Sequence, residues 1–516
     1  MLKKRKLPTG IQSFVKLRNE GCYYVDKTPY MHQLIEQGSY YFLSRPRRFG
    51  KSLFLDTLQQ LFEGQHELFE GLFIEDKWDW QTTHPVVRFS FGSGIMQNRE
   101  QLDNSINDQL ARNAKRLDVT LTAISIPGRF HELLINAQQK YGQNAVLLID
   151  EYDKPILDNL ENSDIATANR EGLKNLYSVI KDADPFLKFV LLTGVSKFSK
   201  VSLFSGLNNL NDITLDARYS AICGYTDDDI DKVFAPELPG LNRDKIREWY
   251  NGYNWLGASV YNPFDVLLLL DKREFKPYWF ESATPTFLVK LLKQRHCFTP
   301  DLNKMSTDQQ LLGEFDVNAI GTEALLFQTG YLTIGKTEEL LPGIWHYELT
   351  YPNAEVESSL NRALLPSLGI NASHLVKQTP IVLKALKACD FTLLETHLKS
   401  LYASIPHDWY RKNNIQNYEG HYASIFYSHF AALGLHVNVE DSSVNGKVDM
   451  AIQFDNTTFI FEFKVVQNTP TGQALKQIIH NNYAEKYKSQ TEKIWGIGVE
   501  FSKTDKQIVL LQTQQL

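Results

Sequence analysis

Residues 40–62 read YYFLSRPRRFGKSLFLDTLQQLF: a short apolar run, a basic turn closing on Gly50-Lys51-Ser52, and a stretch with Leu55, Leu58 and Phe62 at helical spacing, stopped by Gly64. Strand, turn, helix is the arrangement that holds phosphate, because a helix N-terminus offers free N–H groups and the positive end of its dipole. In that reading Lys51 reaches the β- and γ-phosphates of a nucleotide and the Ser52 hydroxyl ligates Mg²⁺. The pattern G-x-x-x-x-G-K-[ST] asks for glycine at 45, where this chain has Arg45 followed by Pro46. Proline holds the residue before it extended and removes a backbone donor. Arg45, Arg47 and Arg48 are candidates to replace the lost donors, since guanidinium forks suit phosphate oxygens. A basic surface turn remains the plain alternative at this stage.

The surrounding chain bounds the answer. At 516 residues it is long enough for two to four domains. With 43% hydrophobic and 22% charged residues it has the composition of a globular protein. A net charge of −6 excludes an indiscriminate coat for polyanions but not a local basic channel. The four cysteines are far apart, with no C-x-x-C, so a reducing compartment is expected and a zinc site is not. No apolar run nears the roughly 18 residues of a membrane helix, and MLKKRKLPTG has no hydrophobic stretch behind it. The expectation is a cytoplasmic protein without a membrane partner.

Up to about residue 220, apolar strands alternate with helical patterns: YYFLS, VVRFSF (86–91), AVLLID (145–150), KFVLLTG (188–194) and DITLD (212–216). That alternation predicts an α/β fold with a mostly parallel sheet and helices on both faces. AVLLID runs into the adjacent carboxylates Asp150 and Glu151. Asp150 is placed to hold Mg²⁺ and Glu151 to orient and deprotonate an attacking water. Thr193, ending KFVLLTG, is either a sensor of the γ-phosphate or a simple strand cap.

The C-terminal region reads as helix, three short strands, helix, a small α/β domain of restriction-endonuclease-like type. GKVDMAIQF (446–454) and TFIFEFKVV (458–466) form two strands around a turn at Asn456. Alternation then places Asp449 on one strand beside Glu462 and Lys464 on the next. Asp-x₁₂-Glu-x-Lys is the PD-(D/E)XK pattern. Its chemistry is phosphodiester hydrolysis: two carboxylates hold Mg²⁺, or Mn²⁺ in its place, the metal activates water, and lysine supports the developing charge. From about 225 to 400 the chain is mainly helical, with a winged-helix-like hairpin near YELTYPNAEVESSL (347–360).

Together YYVDKT (23–28), RPRRFGKS, LLIDEYDKP, LLTGVSKFSKVSLFSGLNNL (191–210) and DITLD resemble the prokaryotic AAA-ATPase-like family that commonly carries a C-terminal PD-(D/E)XK nuclease domain. The resemblance covers most of residues 1–220. It implies that Asp26 and Lys27 lie near the nucleotide; a capped helix start at DKTPY explains them equally well. In the nuclease superfamily a glutamate on the first helix often joins the site, here Glu419, and Gln477 occupies a site-facing position on the later helix.

The expected organisation is an AAA-like P-loop ATPase domain over 1–224, a helical lid and winged-helix-like region over 225–400, and a nuclease-like domain over 405–516. The expected function is ATP binding and hydrolysis coupled to Mg²⁺-dependent cleavage of nucleic acid, DNA before RNA, in defence or DNA processing. A homo-oligomer is compatible with this, and Arg218, Arg243 and Arg247 are unranked sources of a trans-acting arginine. The rival reading is a nucleotide-dependent switch whose nuclease fold binds nucleic acid or protein without cutting.

Overall fold

The structure, a computed structural model, describes residues 4–197, 203, 209–283, 286–295, 299–313, 321–370, 372–405, 418–443, 446–467, 469–505 and 507–516. The chain divides into two compact units, Met1–Ala283 with Met305–Asn353, and Thr284–Lys304 with Ala354–Leu516. The segment read as one middle region over 225–400 is shared between them.

The first unit is built on strands β1 (Tyr40–Ser44), β2 (Val86–Ser90), β3 (Ala145–Asp150), β4 (Leu187–Gly194) and β5 (Asn211–Asp212). They pair in the order β2-β3-β4-β1-β5, every neighbour parallel. Parallel strands need crossovers, and the helices Lys51–Phe62, Arg99–Leu117, Ile126–Tyr141 and Ser163–Asp182 supply them. Three of these helices start where the side chain of Asn98, Ser125 or Asn162 accepts an otherwise unpaired amide hydrogen. β3 is buried along its whole length, as its unbroken apolar run requires. With β4 lying between β1 and β3, the C-terminal ends of all three open on the same edge of the sheet, where ligands of such sheets bind.

DITLD is a shorter strand than expected. Only Asn211 and Asp212 pair with β1, because the Asp212 carboxylate accepts the Thr214 amide at 2.9 Å and turns the chain away. The same unit contains an antiparallel sheet of β6 (Met305–Asp308), β7 (Thr333–Leu341) and β8 (Ile344–Thr350), ordered β6-β8-β7.

The second unit holds β9 (His436–Ser443), β10 (Gly446–Phe454), β11 (Thr457–Val466), β12 (Lys493–Ser502) and β13 (Ile508–Gln515), ordered β13-β12-β11-β10-β9. All pairs are antiparallel except β11 with β12. The β10–β11 turn is Asp455-Asn456 with φ 48° and 60°, the left-handed pair that matches strand twist in a two-residue hairpin. Five strands stand where three were expected. Gly496 and Gly498 interrupt the apolar alternation of β12 and hid it, yet they leave a flat floor for the helix Gln473–His480. A Cβ at Gly498 would lie 2.3 Å from the Leu475 nitrogen. No helix among the described residues is long and apolar enough to cross a membrane.

Candidate functional site

The first site forms where β1 gives way to its loop. The Arg45 amide donates to the Gly194 carbonyl at 3.1 Å, one step beyond the paired residues of β1 and β4, and its side chain then turns into the fold. Arg45 is wholly buried: its guanidinium donates to the carbonyls of Ser44 at 2.8 Å, Thr214 at 3.0 Å and Tyr219 at 3.0 Å, and lies 4.1 Å over the Trp255 ring. Burial pushes its pKa down to about 10, which leaves it charged at neutral pH. Against the expectation that Arg45 serves phosphate, its two terminal nitrogens donate to backbone oxygens and it does not line the cavity beside the loop.

Pro46 and Phe49 are buried, whereas Arg47 and Arg48 point outward and line that cavity. Phe49 packs edge-on against Tyr253 and Trp255, so the two arginines project from a turn pinned at both ends. Arg48, at φ 71°, places its guanidinium 4.8 Å over the Phe264 ring. Gly50 caps the helix Lys51–Phe62 at φ 94°, a conformation that strains any side chain. Lys51 is buried, its Nζ donating to the carbonyls of Arg45 at 2.8 Å and Pro46 at 2.9 Å. Burial lowers its pKa, opposed by the charges of Asp150, Glu151 and Asp153.

β3 brings the acids. Asp150 is buried, and the Thr193 hydroxyl donates to its Oδ1 at 2.9 Å across the β3–β4 pair. Thr193 orients Asp150 and does not line the cavity beside the loop. Glu151 turns out of the strand at φ 52° into the cavity, over Gly92, where a Cβ would meet its Oε2 at 3.2 Å. Burial raises its pKa, with Lys51 pulling the other way. Asp153, which sequence reasoning missed, is buried and accepts the amide and hydroxyl of Ser196 at 2.6 and 2.5 Å. It ties the turn after β3 to the turn after β4.

Gly50, Lys51, Ser52 and Glu151 share one cavity of about 380 Å³. Its far wall comes from segments without any motif, Pro8–Gln12 and Pro263–Leu267 among them. Lys27 lines it too, paired with Asp229 at 3.1 Å. Asp26 does not: its Oδ1 accepts the Thr28 amide at 2.9 Å and its Oδ2 the Phe73 amide at 2.7 Å, the capping arrangement.

The second site lies in the other unit. The β10–β11 register pairs Met450 with Phe461 and Ala451 with Ile460, so Asp449 falls beside Glu462 on one face. Asp449 Oδ2 accepts the Phe463 amide at 2.8 Å, and Lys464 Nζ donates to Glu462 Oε1 at 3.1 Å. Glu462 is 1% exposed, and its Oε2 has no hydrogen-bond partner among the described residues. Burial, then the charge of Asp449, raises its pKa to about 7 against the pull of Lys464.

The other face of the sheet, with Met450, Phe461 and Phe463, packs against Phe426 and Phe430 of the helix Tyr418–Ala432. Glu419 is the second residue of that helix; its side chain lies outside the described residues. The helix Gln473–His480, with half-buried Gln477, instead packs through Leu475 and Ile478 on the face of Ala451 and Ile460, the one that carries Asp449 and Glu462. Glu500 of β12 was also missed. Burial alone would raise its pKa, but bonds from Thr471 and from the Gln473 and Gly472 backbone hold it below the usual range and fasten the start of that helix.

A parallel sheet with a lysine-bearing turn after its fourth-ordered strand, and acids after its second, defines a nucleotide-binding core of P-loop type. The comparisons agree with both halves. Residues 8–204 match the family model described as predicted AAA-ATPase, and residues 417–510 match that of the PD-(D/E)XK nuclease superfamily. The chain is also similar to a protein of Azotobacter chroococcum mcd 1 described as "Uncharacterized protein in vnfD 5'region", 55% identical over 509 residues and covering 98% of each chain. The chain belongs to the AAA-ATPase-like family with a C-terminal PD-(D/E)XK nuclease superfamily domain.

Two outcomes follow from this geometry. Arg45→Ala orphans buried carbonyls and is expected to cost on the order of 3 kcal/mol, read by denaturant melts, while exposed Arg47→Ala costs about 0.5 kcal/mol or less. Equal losses would contradict the structural role of Arg45. For Glu462, a folded pKa above the unfolded value means that the folded state holds the extra proton between about pH 4.5 and 7. Its contribution is present below that window and lost as pH rises through it. In chelator-treated protein, Glu462→Gln should therefore gain melting temperature over wild type between pH 5 and pH 8; a gap constant with pH would refute this.

Proposed function

We propose that the chain binds and hydrolyses ATP in its first unit and cuts phosphodiesters of nucleic acid in its second. The observation that carries the reading is the shared cavity, in which Gly50, Lys51 and Ser52 at a helix N-terminus face Glu151. In this reading Lys51 leaves the carbonyls of 45 and 46 for the β- and γ-phosphates. Arg47 and Arg48 supply guanidinium donors at the rim, Lys27 adds charge at the wall, and Asp26 and Thr193 act through the groups they hold. Ser52 and Asp150 would hold Mg²⁺, and Thr193 fits this by fixing one Asp150 oxygen. Glu151 receives the proton of the attacking water.

In the second unit the buried Oε2 of Glu462, unpartnered among the described residues and beside Asp449, fits a divalent cation, which would supply charge neutralisation and an activated water when bound. Lys464 steadies the charge that builds on the phosphoryl oxygens. Gln477 orients substrate or water from the helix on that face, and Glu419 is retained as a further acid. The division into 1–224, 225–400 and 405–516 assigns nucleotide chemistry, coupling and cleavage in that order.

The test uses full-length protein with labelled single- and double-stranded DNA and RNA, Mg²⁺ or Mn²⁺, with and without ATP. Lys51→Ala should abolish ATP binding, and Lys464→Ala should abolish cleavage while leaving nucleic-acid binding in place. Unchanged ATP affinity in Lys51→Ala sinks the nucleotide reading. Wild type that binds every substrate yet cuts none sinks the nuclease reading in favour of a binding switch.

A further inference from the structure

In the proposed hydrolysis at the first site, positive charge beyond Lys51 and Mg²⁺ speeds the transfer. The water oxygen bonds to the γ-phosphorus, the bond to the β–γ bridging oxygen breaks, and the water proton passes to Glu151. Negative charge then collects on the departing ADP. An arginine from a neighbouring copy is one source of compensation. Arg218, Arg243 and Arg247 line no wall of the cavity within their own chain. Arg218 is engaged with Asp216, Arg243 with Asp227 and Asp231, and Arg247 with Asp227 and Asp244.

Of the cations that do line it, Lys154 and Arg47 converge on one carboxylate. Lys154, three residues after Glu151, donates from Nζ to Asp158 Oδ2 at 2.5 Å and to the Gly94 carbonyl at 2.9 Å. Arg47 reaches the other oxygen of Asp158 at 3.9 Å, with half of its side chain exposed. Lys154 is near enough to Glu151 to act on its charge. Asp158 therefore parks a lysine and an arginine at the rim beside the proposed base, both on side chains long enough to swing. We propose that Lys154 and Arg47 are the charge-stabilising pair for γ-phosphoryl transfer, supplied in cis and stored on Asp158, so that the site needs no arginine from a second copy. This rests on the ATPase reading.

A lysine that only braced the short helix Lys154–Leu157 would affect stability rather than turnover, so the test separates the two. Full-length wild type, Lys154→Met, Lys154→Arg and Arg47→Ala are assayed for ATP turnover, fluorescent ADP affinity, affinity for ADP with Mg²⁺ and aluminium fluoride, and melting temperature. Lys154→Met should keep ADP affinity within about threefold and lose turnover on the order of a hundredfold, together with the aluminium fluoride complex. Lys154→Arg should restore most of it. Arg47→Ala, exposed and harmless to folding, should lose about tenfold and keeps the proposal testable if Lys154→Met is unstable. Turnover per chain should not change on hundredfold dilution. Turnover within threefold of wild type in both Lys154→Met and Arg47→Ala overturns the proposal, and so does turnover per chain that falls with dilution. Loss of turnover in Arg218→Ala, Arg243→Ala or Arg247→Ala with Lys154→Met intact overturns it too. Failure of the ATPase reading looks different: wild type without turnover, or Lys51→Ala with unchanged ADP affinity, sinks both.

Discussion

The loop after β1 depends on a buried guanidinium. A glycine at its first position would let the backbone turn freely; Arg45 with Pro46 behind it does not, so the turn must be held from below. Arg45 does this by donating to the carbonyls of Ser44, Thr214 and Tyr219 while resting on Trp255. Carbonyl dipoles and a ring face replace the water that the charge gives up, which is the condition for burying it at all. Lys51 then grips the loop from within through the carbonyls of residues 45 and 46. Two cations thus shape one turn: one inside the fold on Thr214 and Tyr219, the other on the turn's own carbonyls, which in the proposed function it exchanges for phosphate.

This division of labour explains what could and could not be read from the residues alone. Strand, turn and helix around Gly50-Lys51-Ser52 were legible because their periodicities are local, and so were Asp150 and Glu151 at the end of an unbroken apolar run. The destination of Arg45 was not, because Thr214 and Tyr219 lie 169 and 174 residues further along the chain. Asp26 carried two readings of equal standing, and the structure shows the cap. The walls from Pro8–Gln12 and Pro263–Leu267 carry no pattern; only the tertiary fold assembles them. In the second unit the paired register of Asp449 and Glu462 followed from strand alternation, whereas β12 was concealed by the two glycines that seat its neighbouring helix.

Each unit sets a carboxylate beside a lysine under the same physical conditions. Glu151 lies near Lys51, and Glu462 is bonded to Lys464; burial pushes both acids up, and the lysine pulls each back. A carboxylate raised toward neutrality takes a proton readily, which suits Glu151 as the acceptor of a proton from water. For Glu462 the same shift has the opposite use. Its buried oxygen favours the neutral acid, so that in the proposed reading cation binding there would be linked to proton release. In the proposed reading, one arrangement of burial and counter-charge thus serves a base in one unit and a cation ligand in the other. The difference lies in the remaining neighbours: beside Glu151, Thr193 bonds Asp150 and Ser196 bonds Asp153, while Oε2 of Glu462 has no hydrogen-bond partner among the described residues and, in the proposed reading, is left for a cation.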